Sequence, residues 1–109
     1  MDDMNSLPEP VRTYLAAAGA PDAVAGVFAP DATVTDEGRT HSGRAAIRAW
    51  REQVAAAYTY TTEVTGVRRE GDDRWIVSMR LEGDFPGSVV DLDQRFTVRD
   101  GAVTDLLIA

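Results

Sequence analysis

Over two long segments this chain alternates, with few exceptions, between apolar and polar residues. Trp75, Val77, Met79 and Leu81 fall on one side of the first, and Ser78, Arg80, Glu82 and Asp84 on the other. In the second, Val90, Leu92, Gln94, Phe96 and Val98 oppose Asp91, Asp93, Arg95, Thr97 and Arg99. A period of two is that of a strand with one face in a core, and it excludes an amphipathic helix over the same residues. Short turns join the strands at Glu70-Gly71-Asp72-Asp73, Phe85-Pro86-Gly87-Ser88 and Arg99-Asp100-Gly101. The Asp-Gly pair of the last is a hairpin signal, so everything after Tyr58 reads as an antiparallel meander.

A sheet with one apolar face needs a cover, and the N-terminal half supplies helices. Ser6 and Glu9 have the spacing of a capping box, with Pro8 and Pro10 tolerated in a first turn. Val11, Tyr14, Leu15 and Ala18 then share one helical face, and Gly19-Ala20-Pro21-Asp22 closes that helix and opens a second. Ala23, Val24, Val27 and Phe28 are its apolar positions, and Pro30 is expected to stop it. Residues 32–36 predict a short strand and residues 37–43 a polar loop. A third helix is expected over about residues 43–57, with Ile47, Trp50, Val54 and Ala57 at helical spacing. Helices first and a meander afterwards make the fold class α+β.

Composition narrows the function. The chain has 109 residues, enough for a single domain over 1–109, and a net charge of −7. An acidic chain without a basic cluster is a poor partner for nucleic acid or anionic membrane, since both demand concentrated cations. There is no cysteine, hence no thiolate nucleophile or zinc ribbon, and His41 is the single imidazole. The acidic, polar start does not read as a secretory leader, and a cytoplasmic location is expected. All basic residues are arginine, which suggests a GC-rich bacterial source.

The run Val27-Phe28-Ala29-Pro30-Asp31-Ala32-Thr33-Val34-Thr35-Asp36, then Gly43-Arg44-Ala45-Ala46-Ile47-Arg48-Ala49-Trp50, then the meander, resembles the nuclear transport factor 2-like superfamily. Within it the chain is similar to the SnoaL-like and ketosteroid-isomerase-like branch. The resemblance spans nearly the whole sequence. It implies three N-terminal helices packed on a curved, mainly antiparallel sheet, a cone whose open end forms an apolar pocket. Activities within that superfamily include isomerases, polyketide cyclases, dehydratases and epoxide hydrolases, alongside non-catalytic binding modules.

Three positions inherit possible roles from the resemblance. Asp36 matches the isomerases' proton-transferring base, and a carboxylate in a partly apolar cleft suits proton movement α to a carbonyl. Its other reading is a carboxylate that caps the loop after a strand. Tyr14 matches the oxyanion-hole tyrosine, or is a core aromatic. Gln94 stands where those isomerases have a protonated aspartate. An amide donates more weakly to an enolate than an acid does, so Gln94 departs from the isomerase pattern. Phe28, Trp50, Trp75, Val77, Met79, Leu81, Leu92, Phe96, Leu106 and Ile108 are expected to line the cavity or lie beneath it.

Other constellations carry less. His41 lies in a polar loop near the expected pocket mouth. Neither Asp72-Asp73 nor Asp91-x-Asp93 has calcium-loop spacing, and no metal is expected. Parity sends Asp105 outward, and it sends Arg80 and Arg95 away from any epoxide-hydrolase-like Asp-Arg-Asp set. No phosphate loop, nucleophile elbow or dinucleotide fingerprint is present, so no cofactor is expected. Two functions stay open: a cofactor-independent isomerase or polyketide-cyclase-like enzyme for a small apolar carbonyl compound, and a non-catalytic ligand-binding or dimerisation module. A homodimer through the outer sheet face, carrying Arg80, Glu82, Asp91, Asp93, Arg95 and Arg99, is the expected assembly.

Overall fold

The computed structural model describes residues 7–17, 20–57, 59–84 and 87–109. Among them the element order is α1 (Glu9–Ala16), α2 (Pro21–Gly26), β1 (Phe28–Asp36), β2 (Arg39–Ser42), α3 (Arg44–Ala57), β3 (Tyr60–Glu70), β4 (Arg74–Gly83), β5 (Val89–Arg99) and β6 (Ala102–Ile108). The strands form one sheet in the order β2-β1-β6-β5-β4-β3. The β1–β6 pair is parallel and every other pair antiparallel. Three helices thus cover one face of a curved, unclosed sheet, the α+β cone expected from the sequence.

Alternation sets the core. Trp75, Val77 and Met79 of β4 are buried with Phe96 of β5 and Val103 and Leu106 of β6, under Val11 and Tyr14 of α1, Val24 of α2 and Ile47 and Trp50 of α3. Removing a large apolar side chain of this kind from water is worth about 1.5–3 kcal/mol. Register shifts bend the sheet: β3 carries an extra residue between Val64 and Gly66 against β4, and β5 and β6 shift between Thr97 and Val98. On the outer face, Arg80 Nε donates to Asp91 at 3.0 Å, Ser78 Oγ to Asp93 at 2.7 Å and Thr33 Oγ1 to Asp105 at 2.5 Å. Ile76 is buried on that face as well, in register with Arg68 and Arg95.

Local expectations at the helix starts and the first hairpin need correction. Helix α1 begins at Glu9 with Pro8 as N-cap and no side-chain cap, so Glu9 is the first helical residue and not the third of a capping box. Ser6, Ala18, Gly19, Tyr58, Phe85 and Pro86, on which other expectations fall, lie outside the described residues. Helix α2 ends at Gly26, and Phe28 already pairs with Val103. Pro30 therefore sits inside β1 and stops no helix. It is tolerated because β1 is irregular between Phe28 and Thr33, where no ladder N–H is demanded.

Residues 37–43 are not a simple loop. Glu37 and Gly38, with φ of 52° and 76°, turn β1 directly into β2, in the manner of a type I′ hairpin, and Asp36 pairs with Arg39 across it. Asp100 and Gly101, with φ of 52° and 77°, make the same turn between β5 and β6, as the Asp-Gly signal predicts.

Candidate functional site

The open end of the cone holds a cavity of about 380 Å³. Strand β1 brings Asp36 to its edge and the following turn brings Glu37. Helix α3 contributes Trp50, Arg51 and Val54, β3 Tyr60, β4 Leu81, β5 Val90, Leu92 and Gln94, and β6 Ile108. Register explains part of this convergence: Asp36 pairs with Ile108 across β1–β6, and Ile108 pairs with Gln94 across β6–β5. Gly83 pairs with Tyr60, and a Cβ there would run into Thr59 O and Tyr60 Cβ. Glycine at this one position lets the two strands close up where Tyr60 meets the cavity.

Asp36 is positioned by Trp50, one of the residues expected to line the cavity or lie beneath it. Trp50 Nε1 donates to Asp36 Oδ2 at 3.0 Å. The Trp50 ring is itself held, stacked on His41 at 6.0 Å between centroids and covered by the Arg51 guanidinium at 5.1 Å. His41 thus braces the indole that orients Asp36.

Gln94 borders the same cavity, only 8% exposed, and its Oε1 is buried without a hydrogen-bond partner among the described residues. An orphaned buried acceptor costs on the order of 1–3 kcal/mol. Tyr14 lies one layer deeper. Its ring meets Phe96 edge-on at 5.3 Å and Phe28 at 6.0 Å, and it is not among the residues that line the cavity. Burial pushes its hydroxyl well above the ordinary phenol pKa of 10.0, opposed by the hydrogen-bonded Arg51 beside it.

Of the apolar residues expected at the cavity, Trp50, Leu81, Leu92 and Ile108 border it. Phe28, Trp75, Val77, Met79, Phe96 and Leu106 form the core beneath. Glu37, Arg51, Val54, Tyr60 and Val90 also line the cavity and stood outside the expected set. Arg51 is 6% exposed, and its Nη2 donates to Tyr60 Oη at 3.4 Å. Its signal was present: Ile47, Trp50, Arg51 and Val54 follow the i, i+3, i+4, i+7 pattern of a buried stripe, and only the charge of Arg51 removed it from the expected face. Arg80 and Arg95, the arginines weighed for such a site, do not line it.

A second depression lies on the opposite face of the sheet, more open and bordered by Thr65, Ser78, Arg80, Asp91 and Asp93. Among the described residues no three of His, Asp and Glu gather as a metal site, and no helix is long and apolar enough to cross a membrane.

This architecture, a helix-capped cone with a carboxylate at its mouth, is the ketosteroid-isomerase-like form of the nuclear transport factor 2-like fold. The SnoaL-like domain family matches residues 11–106, and the chain belongs to that family. It is similar to a protein from Sinorhizobium meliloti provisionally assigned as a polyketide cyclase: identity is 36%, coverage 99% of this chain and 100% of that one, and the TM-score 0.92. A Catenulispora acidiphila protein with a ketosteroid isomerase-like fold, in complex with trimethylamine, is 25% identical over 95% of this chain and 86% of its own, at a TM-score of 0.83. The epoxide hydrolase/cyclase-like enzyme SalBIII of salinomycin pyran-ring formation shares the fold, at 22% identity, 92% and 86% coverage and a TM-score of 0.79. No curated protein matches the chain.

Proposed function

We propose that the chain is a cofactor-independent isomerase or cyclase that moves a proton α to a carbonyl of a small, largely apolar substrate, with Asp36 as the base. The observation that carries this reading is Asp36 at the cavity wall, its Oδ2 fixed by the Trp50 indole. A carboxylate held in place at the wall of a largely apolar cavity is what enolisation requires, because geometry comes before pKa in choosing a base. Leu81, Leu92, Val54 and Ile108 supply the apolar walls that exclude water around it. Charge developing on the carbonyl oxygen would meet the donors at the other side of the cavity, Arg51 and Tyr60, with Tyr14 acting behind Arg51.

One observation favours the second reading, a binding module without turnover: Gln94, an amide, occupies the strand position where the isomerases keep an acid. Titration of Trp50 fluorescence with a planar phenolic steroid, an enolate mimic, separates the two. Tighter binding by Asp36→Asn than by the wild type, where removal of the carboxylate relieves repulsion with the phenolate, supports proton transfer at this site. Equal binding by both proteins places the ligand away from Asp36 and rejects it. The assembly proposed with either reading is a homodimer through the outer sheet face, around Leu107 and the Arg80–Asp91 pair. Light scattering that finds only an 11.8 kDa species at high concentration rejects that assembly.

A further inference from the structure

The β1–β2 hairpin carries a side chain that the proposed reaction does not use. His41 lies on β2 opposite Val34, two residues before Asp36 on β1. Partners across an antiparallel pair share a face of the sheet, as do residues two apart on one strand. His41 and Asp36 are therefore diagonal neighbours, and the fully buried Val34 between them identifies their face as the inner one. Trp50 of α3 meets both. Its Nε1 donates to Asp36 Oδ2 at 3.0 Å, and its ring stacks on the His41 ring at 6.0 Å between centroids and 30° between planes. His41 is half-buried and is not among the residues that line the cavity.

Backbone geometry ties the elements that carry these three groups. The Glu37-Gly38 turn closes the hairpin, and on its other face the Thr35 and Thr40 hydroxyls share a hydrogen bond at 3.2 Å. Gly43, with φ of 85°, carries β2 straight into α3, and its N–H donates to Ala32 O of β1 at 2.8 Å. What the backbone leaves open is the aim of the side chains. An indole N–H swings through space as the ring turns about its second torsion, whose well is broad, so the direction of the bond to Asp36 depends on what restrains the ring. Packing of a neighbour on that ring is the usual means of locking such a group.

We infer that His41 is a positioning residue: by stacking on Trp50 from outside the cavity, it keeps the indole N–H on Asp36 and so holds the carboxylate at the cavity wall. The inference rests on the reading of Asp36 as the base and names what keeps that base in place. Arg51 also lies over the Trp50 ring, at 5.1 Å, but it borders the cavity and engages Tyr60 and Tyr14, so its loss disturbs the ligand's surroundings as well as the indole. Loss of the His41 ring releases the indole and leaves the cavity wall as it is. The expected signature is therefore a slower proton transfer with unchanged substrate binding, since a small misplacement of a reacting group costs rate rather than affinity.

The test reads the indole first and the rate second. The chain has two tryptophans, so the Trp50 indole N–H is identified in proton–nitrogen spectra by its loss in Trp50→Phe. His41→Ala is expected to move that resonance upfield, towards its place in Asp36→Asn, and to speed its exchange with water about tenfold, while His41→Phe, which keeps a flat ring, restores both. An unchanged resonance in His41→Ala overturns the inference. In deuterium exchange at the α-carbon of β-tetralone, His41→Ala is expected to lower kcat about tenfold with KM unchanged, and His41→Phe to recover most of the loss. Trp50→Phe is expected to lose at least as much, and adding His41→Ala to it to cost nothing further, because the two residues act through one hydrogen bond. Additive losses, or a change confined to KM, overturn the inference. Should His41→Ala not fold, His41→Thr, whose branched side chain suits an edge strand, takes its place with the same expectations. A wild type that exchanges no α-proton refutes the proposed chemistry, and the indole resonance then decides this inference by itself.

Discussion

Along β5 the inward-facing row passes from cavity to solid core within two residues. Gln94 borders the cavity, and Phe96 is fully buried against Tyr14. On β6 the same change separates Ile108, at the cavity, from Leu106, in the core. These residues share a face of the sheet, so alternation cannot tell them apart. What differs is the cover. Near Phe96 and Leu106 it is apolar, from Val11 and Tyr14 of α1 and Ile47 of α3, whereas the last turns of α3 present Arg51 and Val54 above a gap. Period two assigns the face, and the helix above assigns whether that face is packed or hollow.

Equal chemistry at the two ends gives the largest contrast. Leu106→Ala, in the packed end, is expected to cost about 2–5 kcal/mol in urea denaturation, and Leu92→Ala, at the cavity wall, less than half as much, because one leaves a new void and the other enlarges an existing one. Equal losses would erase the distinction between the ends. A second effect comes from Tyr14. Burial keeps its hydroxyl protonated in the fold above pH 10.0, where the unfolded chain gives the proton up. The unfolded state then binds fewer protons than the native state, so stability falls as pH rises from that point, by up to about 1.4 kcal/mol per unit. Tyr14→Phe removes that part of the alkaline slope, measurable by denaturation at a series of pH values.

The cavity end has the opposite sensitivity to polarity. Gln94→Leu is expected to raise stability by about 1 kcal/mol, because it removes a buried acceptor that lacks a partner, and to weaken ligand binding at the same time. A loss of stability would mean that the amide is satisfied within the fold. Smallest of all is Glu52→Ala on α3, away from the outer sheet face, where the ion pair with Arg48 is solvent-exposed and the denaturation midpoint is expected to stay where it is.

What the sequence disclosed follows the same division. The face of each long strand was legible, because a one-residue slip would have turned Trp75, Val77 and Phe96 to solvent. Asp36 and Gln94 could be singled out, the first by the phrase that precedes α3 and the second as an amide in an apolar row. Arg51 was not, since a charge on a helix reads as solvated even when its spacing places it between Ile47 and Val54. The β2 hairpin was missed because Glu-Gly is a weaker signal for positive φ than the Asp-Gly that marked the β5–β6 turn. The division of the apolar set into cavity wall and core was hidden too, for it depends on α3 lying over some residues of a row and α1 over others.

The central claim is that Asp36 moves a proton in this cavity, and the most direct measurement is deuterium exchange at the α-carbon of β-tetralone, followed by proton NMR. The account expects the wild type to accelerate exchange over buffer, and Asp36→Asn to lose about 10²-fold or more of that acceleration while its fold and ligand binding are retained. Equal exchange in the two proteins, or none above buffer in either, would contradict it.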